Sequence, residues 1–375
     1  MKRSFISLVA AAALVVGACS TSGSSPAPST APSTAPSTAA SPAGGPFTVT
    51  DAKGNKVAFD ALPKRIVIAG KALFMVADAA YLFPEASSRI VAMGSTVQNK
   101  LSWPQAFDPN YASKTILDAT AGAEQIAATN PDLVLLKSSN ATTLGQPLIA
   151  LGVKVVYVDF ETPDQYTRDL ATLGQLFGDQ ARAQQLITYF QAQASGITTK
   201  LASLTDAQKP KVLILYYSNK NGTIAFNVPP LSFIQSTEAQ LAGGQLVWKD
   251  AQLGSSWTTV TLEQVAAWNP DQVYVIAYSG SSADVVATLK ADPKWQALKA
   301  AKGNAIYAFP ADYYSWDQPD PRWVLGLDWL AAKIHPEIFP SFSMDTAARG
   351  LYKDLYGLDD ATYDKLVKPN LTGSF

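Results

Sequence analysis

The sequence predicts an α/β protein of two lobes with mostly parallel sheets, joined by a single long helix. Three observations support this fold class. One eleven-residue phrase occurs twice, 139 residues apart. Strand and helix signals alternate on both sides of the middle of the chain, as they do in α/β folds. Between the two halves runs one apolar stripe with helical period.

The repeated phrase is EQIAATNPDLV at Glu124–Val134 and EQVAAWNPDQV at Glu263–Val273, with eight of eleven positions identical. Each copy predicts a short helix that ends at Asn-Pro, because the residue before proline is disfavoured in the α conformation. The apolar run after each copy predicts a buried strand. Two copies so far apart indicate two similar lobes, each using this unit once.

The N-terminal lobe is expected at residues 47–178 and opens with a hairpin around Lys53-Gly54-Asn55. Four strands are predicted after the hairpin. They are RIVIAG (65–70), RIVAMG (89–94), LVLLK (133–137) and KVVYVD (154–159). Helical or irregular segments separate them, so crossover connections and a parallel sheet are expected.

A long helix is predicted from Gln180 to Leu204, within a joining segment at residues 179–208. Its 25 residues would extend roughly 37 Å at 1.5 Å per residue. The C-terminal lobe, residues 209–375, again alternates, with strands predicted at KVLILYY, TIAFNV, VYVIAY and AIYAFP. Ligands bind beyond the carboxyl ends of such strands, so a cleft between two sheet edges is expected.

The first 18 residues have the pattern of a signal peptide, with a basic start and the uncharged apolar run Phe5–Val16. Val16-Gly17-Ala18-Cys19 resembles a bacterial lipobox, in which the cysteine sulfur is the lipid anchor. The alternative is an ordinary signal peptide with an incidental cysteine. Residues 19–46 are rich in Pro, Ser and Thr, which predicts a disordered tether between Cys19 and the lobes.

Composition argues against several classes of protein. Cys19 is the single cysteine, so the lobes contain no disulfide and no cysteine metal site. Removing Lys2 and Arg3 from the 29 basic residues leaves 27 against 30 acidic ones, a formal charge of −3 that argues against nucleic acid. The sequence has no nucleophile elbow, Walker loop, G-x-G-x-x-G or HExxH motif, which argues against the enzyme classes that these motifs mark and leaves a chelatase-like enzyme as a distant alternative.

Five segments resemble the substrate-binding proteins of ABC importers for iron complexes, haem and cobalamin. They are TVTDAKGNKVAF…LPKRIVIAG, AEQIAATNPDLVLL, GVKVVYVDFETPDQYTRDLATLGQLFG, EQVAAWNPDQVYVI and PRWVLGLDWLAAKIHPE, and together they span nearly all of residues 47–375. The resemblance implies two Rossmann-like lobes, a rigid joining helix, a shallow cleft and delivery to an ABC permease dimer with ATPase subunits. We expect a monomer anchored by its lipid on the extracytoplasmic face of the cell membrane.

The cargo is expected to be a metal already wrapped in an organic ligand. The only histidine, His335, precedes Pro336 near the end of a late helix, where a structural role is expected, and transition metals prefer imidazole or thiolate. A ferric siderophore is the first expectation, because Lys71, Lys100 and Arg322 would pair with anionic cargo. A corrinoid is second, and haem is third, with Tyr313 or Tyr314 as the candidate axial ligand.

Candidate ligand contacts are aromatic or charged side chains near predicted strand ends. Trp257 matches a cleft-lining tryptophan of cobalamin-binding members, whereas Asp118 stands at the mirrored position of the first lobe. The other candidates are Tyr313, Tyr314, Trp316, Asp317 and Arg322 after AIYAFP, and Lys71, Phe74, Lys100 and Trp103 in the first lobe. Each aromatic residue has the alternative of sealing its lobe, and Arg322 that of capping the next helix.

Glu124 and Glu263 occupy the same place in the two copies of the phrase. In each copy the carboxylate stands in the first helical turn, where it opposes the helix macrodipole. The resemblance gives both positions a second role. A symmetric importer presents two equivalent permease subunits, so one glutamate on each lobe would dock against one arginine on each subunit.

Overall fold

A computed structural model of the protein describes residues 45–95 and 102–374. The signal peptide, Cys19, the tether up to residue 44 and Lys100 lie outside these residues. No helix within the described ranges is both long and apolar enough to cross a membrane.

The described residues form strands and helices in alternation, with two separate larger sheets. The strands are β1 Phe47–Thr50, β2 Lys56–Phe59, β3 Ile66–Ile68, β4 Ile90–Gly94, β5 Thr115–Leu117, β6 Leu133–Lys137, β7 Val155–Val158, β8 Lys211–Lys220, β9 Thr223–Val228, β10 Gln245–Leu246, β11 Thr258–Val260, β12 Gln272–Ile276 and β13 Ile306–Ala308. The helices are α1 Leu73–Ala80, α2 Ala86–Arg89, α3 Trp103–Phe107, α4 Ala123–Ala127, α5 Gln146–Ala150, α6 Pro163–Phe177, α7 Gln180–Leu201, α8 Ile234–Leu241, α9 Leu262–Trp268, α10 Ser282–Ala291, α11 Pro293–Gln296, α12 Lys299–Lys302, α13 Trp323–Ile334, α14 Met344–Tyr356 and α15 Asp360–Leu366.

Each lobe is built on one larger sheet. The central strand of each sheet, β3 or β8, is the first strand in sequence that belongs to that sheet. The first lobe has the order β5-β4-β3-β6-β7, with every pair parallel. The second has β11-β9-β8-β12-β13, in which β8, β12 and β13 are parallel. Strands β8 and β9 instead form an antiparallel hairpin, because Asn221 and Gly222 both adopt positive φ, as a tight hairpin turn requires. The predicted fold class is confirmed.

The joining helix α7 is continuous but shorter than predicted. It spans 22 residues, roughly 33 Å, and ends at Leu201 rather than Leu204. The apolar stripe continues to Leu204, but there the backbone N–H bonds to Leu201 in a tighter turn. At its other end, Gly178 (φ 73°) closes α6 and Asp179 caps α7 by accepting the Arg182 N–H at 2.8 Å.

The two copies of the repeated phrase fold alike, as helices α4 and α9 leading into strands β6 and β12. Each helix is followed by an asparagine with left-handed backbone, Asn130 at φ 53° and Asn269 at φ 48°. The aspartate after each proline then fixes the start of the central strand in the sheet of its own lobe. Asp132 accepts the N–H groups of Lys64 and Arg65 at 2.8 and 2.9 Å, and Asp271 accepts that of Lys211 at 2.8 Å. The phrase therefore serves as a local folding unit in both lobes.

Candidate ligand-binding site

The carboxyl ends of the two sheets meet at the loop between β13 and α13. This loop contacts α1, which follows β3 in the first lobe. The rings of Phe74 and Tyr314 stack across the two lobes with centroids 4.4 Å apart, and Trp103 lies 5.3 Å from Tyr313. Because all four rings are buried, these aromatic contacts form part of the packed interface between the lobes.

Arg322 lies at the centre of this interface and is fully buried. Its guanidinium pairs with Asp78 of the first lobe at 2.5 Å. It also pairs with Asp312 at 2.7 Å and Asp320 at 3.3 Å, both from its own lobe. One buried cation thus faces three buried carboxylates, so its charge is already compensated within the protein.

Burial and mutual repulsion keep protons on this cluster. Burial is the largest cause that raises the pKa of Asp78 to about 8, and it also raises the pKa of Asp320 to about 6. The same three aspartates raise the pKa of Arg322, so the guanidinium stays charged. Near neutral pH we therefore expect one proton shared between Asp78 and Asp320, which lowers the net charge that has to be buried.

Helix α14 of the second lobe adds further contacts across the interface. The Tyr356 hydroxyl donates to the Asp78 carbonyl at 3.2 Å. Arg182 of α7 donates to the Leu82 carbonyl at 3.0 Å and to the Leu355 carbonyl at 2.6 Å. The lobes are thus joined by side-chain contacts as well as by the joining helix.

The carboxyl edge of the first sheet carries a second polar group of residues. Lys137 ends β6, and its ammonium lies 2.5 Å from Glu161 and 3.5 Å from the Met75 sulfur. The Asn140 side-chain amide forms two hydrogen bonds with the backbone of Lys71. It accepts the Lys71 N–H at 3.0 Å and donates to the Lys71 carbonyl at 3.3 Å. The Lys71 side chain is exposed and makes no ion pair with a described residue.

Trp257 lies on the second lobe with a half-buried ring. Its ring centroid is 5.1 Å from that of Tyr216 and 6.1 Å from that of Tyr278. Tyr216 is on β8, and Tyr278 directly follows β12, so both stand at the carboxyl edge of the sheet. The Tyr278 hydroxyl donates to Asp317 at 2.5 Å. Through this bond Trp257 and Asp317 belong to one cluster.

The structure places the predicted residues in three groups. Phe74, Trp103, Tyr313, Tyr314, Trp316 and Arg322 form the buried interface, where the Trp316 indole donates to Asp312 at 3.2 Å. Trp257 and Asp317 lie in the aromatic cluster of the second lobe. Lys71 lies on the surface of the first lobe, and Lys100 is outside the described residues.

Several residues of the site were missed from the sequence. Asp78 is four residues after Phe74 and therefore on the same face of α1, which could have indicated that it also reaches the interface. Tyr278 is the last residue of the predicted strand VYVIAY, and Asp312 directly precedes the predicted YYSWD loop. Gln235 of α8 carried no signal, because nothing in its local sequence distinguishes it from a surface residue.

The two side chains of the Glu-Gln pair in the repeated phrase have different environments. Gln125 accepts the Gly122 N–H at 3.0 Å, and Gln264 accepts the Thr261 N–H at 2.8 Å. The glutamines thus complete the caps of α4 and α9. Glu124 and Glu263 are exposed, and neither forms an ion pair with any residue in the described ranges.

His335 is buried, with Nε2 3.3 Å from the Gly243 carbonyl and Nδ1 3.4 Å from Glu337. It therefore holds the end of α13 in place. Within residues 45–95 and 102–374, no three His, Cys, Asp or Glu side chains are arranged to hold a metal ion.

Comparison with known proteins defines the class. The profile of the periplasmic binding protein family matches residues 70–313, more than half of the chain, so the protein belongs to this family. This family consists of extracytoplasmic solute-binding proteins rather than enzymes.

The relatives differ in what their names say they bind. The molybdate-binding protein MolA of Haemophilus influenzae is 31% identical over 98 residues, 26% of this chain and 27% of MolA. The vitamin B12-binding protein of Yersinia pestis is 29% identical over 164 residues, 44% of this chain and 55% of its own length. The chain thus spans about half or less of the length of these relatives.

A solved structure supports the fold over a longer stretch. The nickel–histidine complex of Helicobacter pylori CeuE superposes with a TM-score of 0.68 at 17% identity, over 86% of this chain and 99% of CeuE. At this level of identity the likeness concerns the fold alone.

Proposed function

We propose that the protein is a lipid-anchored solute-binding protein that captures a chelated metal complex between its lobes and delivers it to an ABC permease. The observation that carries the proposal is the convergence of aromatic and polar side chains from the carboxyl edges of both sheets. Such edges are where open α/β sheets bind ligands.

A chelated metal fits the chain better than a bare ion. His335, the single histidine, already contacts Gly243 and Glu337 in the interior. Half-buried aromatic rings such as Trp257 instead suit the organic surface of a chelate. We therefore propose a ferric siderophore as the cargo.

A corrinoid is the second candidate, favoured by the vitamin B12-binding relative and the position of Trp257. Haem is less well supported, because the Tyr313 hydroxyl donates to the Leu366 carbonyl at 2.7 Å and burial raises the pKa of Tyr313 to about 12. Both effects oppose its use as a phenolate ligand to iron.

Tryptophan fluorescence titration tests the cargo. We expect a ferric siderophore to quench the wild-type protein, and Trp257→Ala to weaken binding by about 1–3 kcal/mol. Trp268→Ala is the matched control, because Trp268 is also half-buried but lies at the end of α9, away from the cluster. Quenching by cobalamin but by no ferric siderophore would instead select the corrinoid.

Anchoring through Cys19 is tested by fractionation. Cys19→Ser should move the protein from the membrane fraction into the medium or periplasm, because the acyl chain would be its only membrane contact. Retention at the membrane would contradict the lipid anchor.

We further propose that Glu124 and Glu263 dock the protein on the permease. Their neighbours Gln125 and Gln264 complete the helix caps. The Glu263 carboxylate also accepts hydrogen bonds from its own backbone N–H and from the Thr261 side chain, which lower its pKa. Both glutamates are exposed, one on each lobe. This arrangement suits two equivalent arginines on two permease subunits.

Charge reversal tests the docking role. In Glu124→Arg/Glu263→Arg, cargo affinity of the purified protein should be unchanged while cellular uptake collapses, since like charges would face each other. Asp60→Arg/Asp250→Arg is the control, because both residues are exposed, one on each lobe, and neither carboxylate forms a hydrogen bond or an ion pair within the described residues. Normal uptake by the first double variant would leave the phrase as a folding unit alone.

A further inference from the structure

Four aromatic rings are gathered on the cleft side of the second lobe, namely Tyr216, Phe233, Trp257 and Tyr278. The Tyr216 ring lies 4.8 Å from Tyr278 and 5.1 Å from Trp257, and the Phe233 ring lies 6.3 Å from Trp257. Most of these pairs are tilted or edge-on, so the rings do not form one flat stacking platform. All four are half-buried, which leaves part of each ring accessible to a ligand.

Buried hydrogen-bond acceptors lie beneath these rings. Asp317 is fully buried and accepts hydrogen bonds from the Tyr278 hydroxyl at 2.5 Å and from Gln235 Nε2 at 2.9 Å, both at Oδ2. The Ser315 hydroxyl and the Asp317 backbone N–H are close to the same carboxylate, yet Oδ1 makes no hydrogen bond of good geometry within the described residues. Gln235 is 4% exposed, and its Oε1 also has no partner there. The unused capacity under the rings is therefore acceptor capacity.

Among the described residues, the cluster contains no compensating cation. Neither a lysine nor an arginine bonds to Asp317 or Gln235 within the described residues. Arg322 is already compensated by Asp78, Asp312 and Asp320. Both the π faces of the rings and the buried acceptors favour a positive group at this place.

We propose that this aromatic cluster is a subsite for a cationic ammonium group carried by the cargo. The inference rests on the proposed function and narrows the class of ferric siderophore that the protein would bind. A ferric complex of three hydroxamates is neutral at the metal, and a pendant ammonium makes it cationic. A ferric complex of three catecholates carries three negative charges, which would face Asp317 without an uncompensated buried cation among the described residues to balance them. The subsite thus favours an ammonium-bearing hydroxamate over a catecholate.

The test compares two ferric complexes of one linear trihydroxamate, desferrioxamine B. In one its terminal primary ammonium is free, and in the other that amine is acetylated, so iron coordination is shared and one charge differs. We expect calorimetry to show about tenfold tighter binding of the ammonium form by the wild-type protein. Asp317→Asn should bring that ratio close to unity, whereas Asp284→Asn, at an exposed carboxylate of α10, should leave it unchanged.

The failures of the two proposals are distinguishable. Equal affinity of the wild-type protein for both complexes, or a preference that survives Asp317→Asn, overturns the cation subsite and leaves the proposed function in place. If neither complex binds, the hydroxamate cargo is wrong, and saturation-transfer NMR with tetramethylammonium tests the subsite directly. Transfer to the wild-type protein that is lost in Asp317→Asn supports the subsite, and absence of transfer overturns it.

Discussion

Replacing Arg322 by methionine should be among the most damaging single changes in the protein. The substitution keeps much of the side-chain volume but removes the cation that faces Asp78, Asp312 and Asp320, all of which are fully buried. Removing one partner of a buried ion pair costs about 3–5 kcal/mol, because the remaining charge is left uncompensated. With three carboxylates remaining, we expect a loss of stability at the upper end of that range near neutral pH.

The loss should depend on pH with a definite sign. In the wild-type protein, burial raises the pKa of Asp78 to about 8 and that of Asp320 to about 6, so the folded state binds more protons than the unfolded chain between about pH 4 and 8. Stability therefore falls as pH rises through that window, by at most about 1.4 kcal/mol per pH unit for each group. Without Arg322 both pKa values rise further, so the damage should be greater at pH 8 than at pH 5.

Urea unfolding followed by circular dichroism measures both effects. Arg349→Met is the matched control, because Arg349 also pairs with three aspartates, Asp345, Asp360 and Asp364, but at the surface. Solvent screens those pairs, so its loss should be a small fraction of that for Arg322. Equal losses for the two variants, or a loss at Arg322 that does not change between pH 5 and 8, would refute the reasoning.

Three further predictions follow from the same interior and from the joining helix. Glu238 is buried, neither of its carboxyl oxygens has a partner among the described residues, and burial raises its pKa. Glu238→Gln should therefore melt at a higher temperature than the wild-type protein at pH 8 and show no gain at pH 4. A lower melting temperature at pH 8 would contradict this prediction. A Cβ atom at Gly326 would clash with the Trp316 carbonyl oxygen. Gly326→Ala should therefore shift the β13–α13 loop and lower both the melting temperature and the cargo affinity. Wild-type values for both quantities would rule out the tight contact. Because α7 and the Arg322–Asp78 pair join the lobes, solution scattering should give nearly equal radii of gyration with and without cargo, and a large contraction on binding would refute a rigid connection.

The fold could be predicted in detail because its signals are local. Each of the eight strands predicted beyond the opening hairpin is present, since continuous apolar runs have few alternatives to a buried strand. The short strands β5, β10 and β11 were missed, because two or three residues with mixed exposure leave no periodic pattern. The end of α7 was overestimated because apolar spacing continues through the tighter turn at Leu204.

The site was only partly predictable because its pairings are not local. Arg322 was expected either to meet anionic cargo or to cap a helix, but its main partner Asp78 is 244 residues away in sequence. Aromatic residues near the strand ends were predicted to contact ligand, with sealing of their lobes as the alternative. The sequence could not distinguish those that are buried between the lobes, such as Tyr314, from those that stay accessible, such as Trp257. That distinction depends on which lobe surfaces come into contact.

Isothermal titration calorimetry with a ferric trihydroxamate tests the central claim, capture of a chelated metal between the lobes, most directly. The titration is run on the wild-type protein, on Trp257→Ala and on Trp268→Ala, with the metal-free chelator as a second titrant. We expect one-to-one binding of the ferric complex, weakened in Trp257→Ala and unchanged in Trp268→Ala, with much weaker binding of the metal-free chelator. Affinity for the ferric complex that is the same in all three folded proteins would contradict capture at Trp257 between the lobes, and no binding of it at all would exclude a trihydroxamate as the cargo.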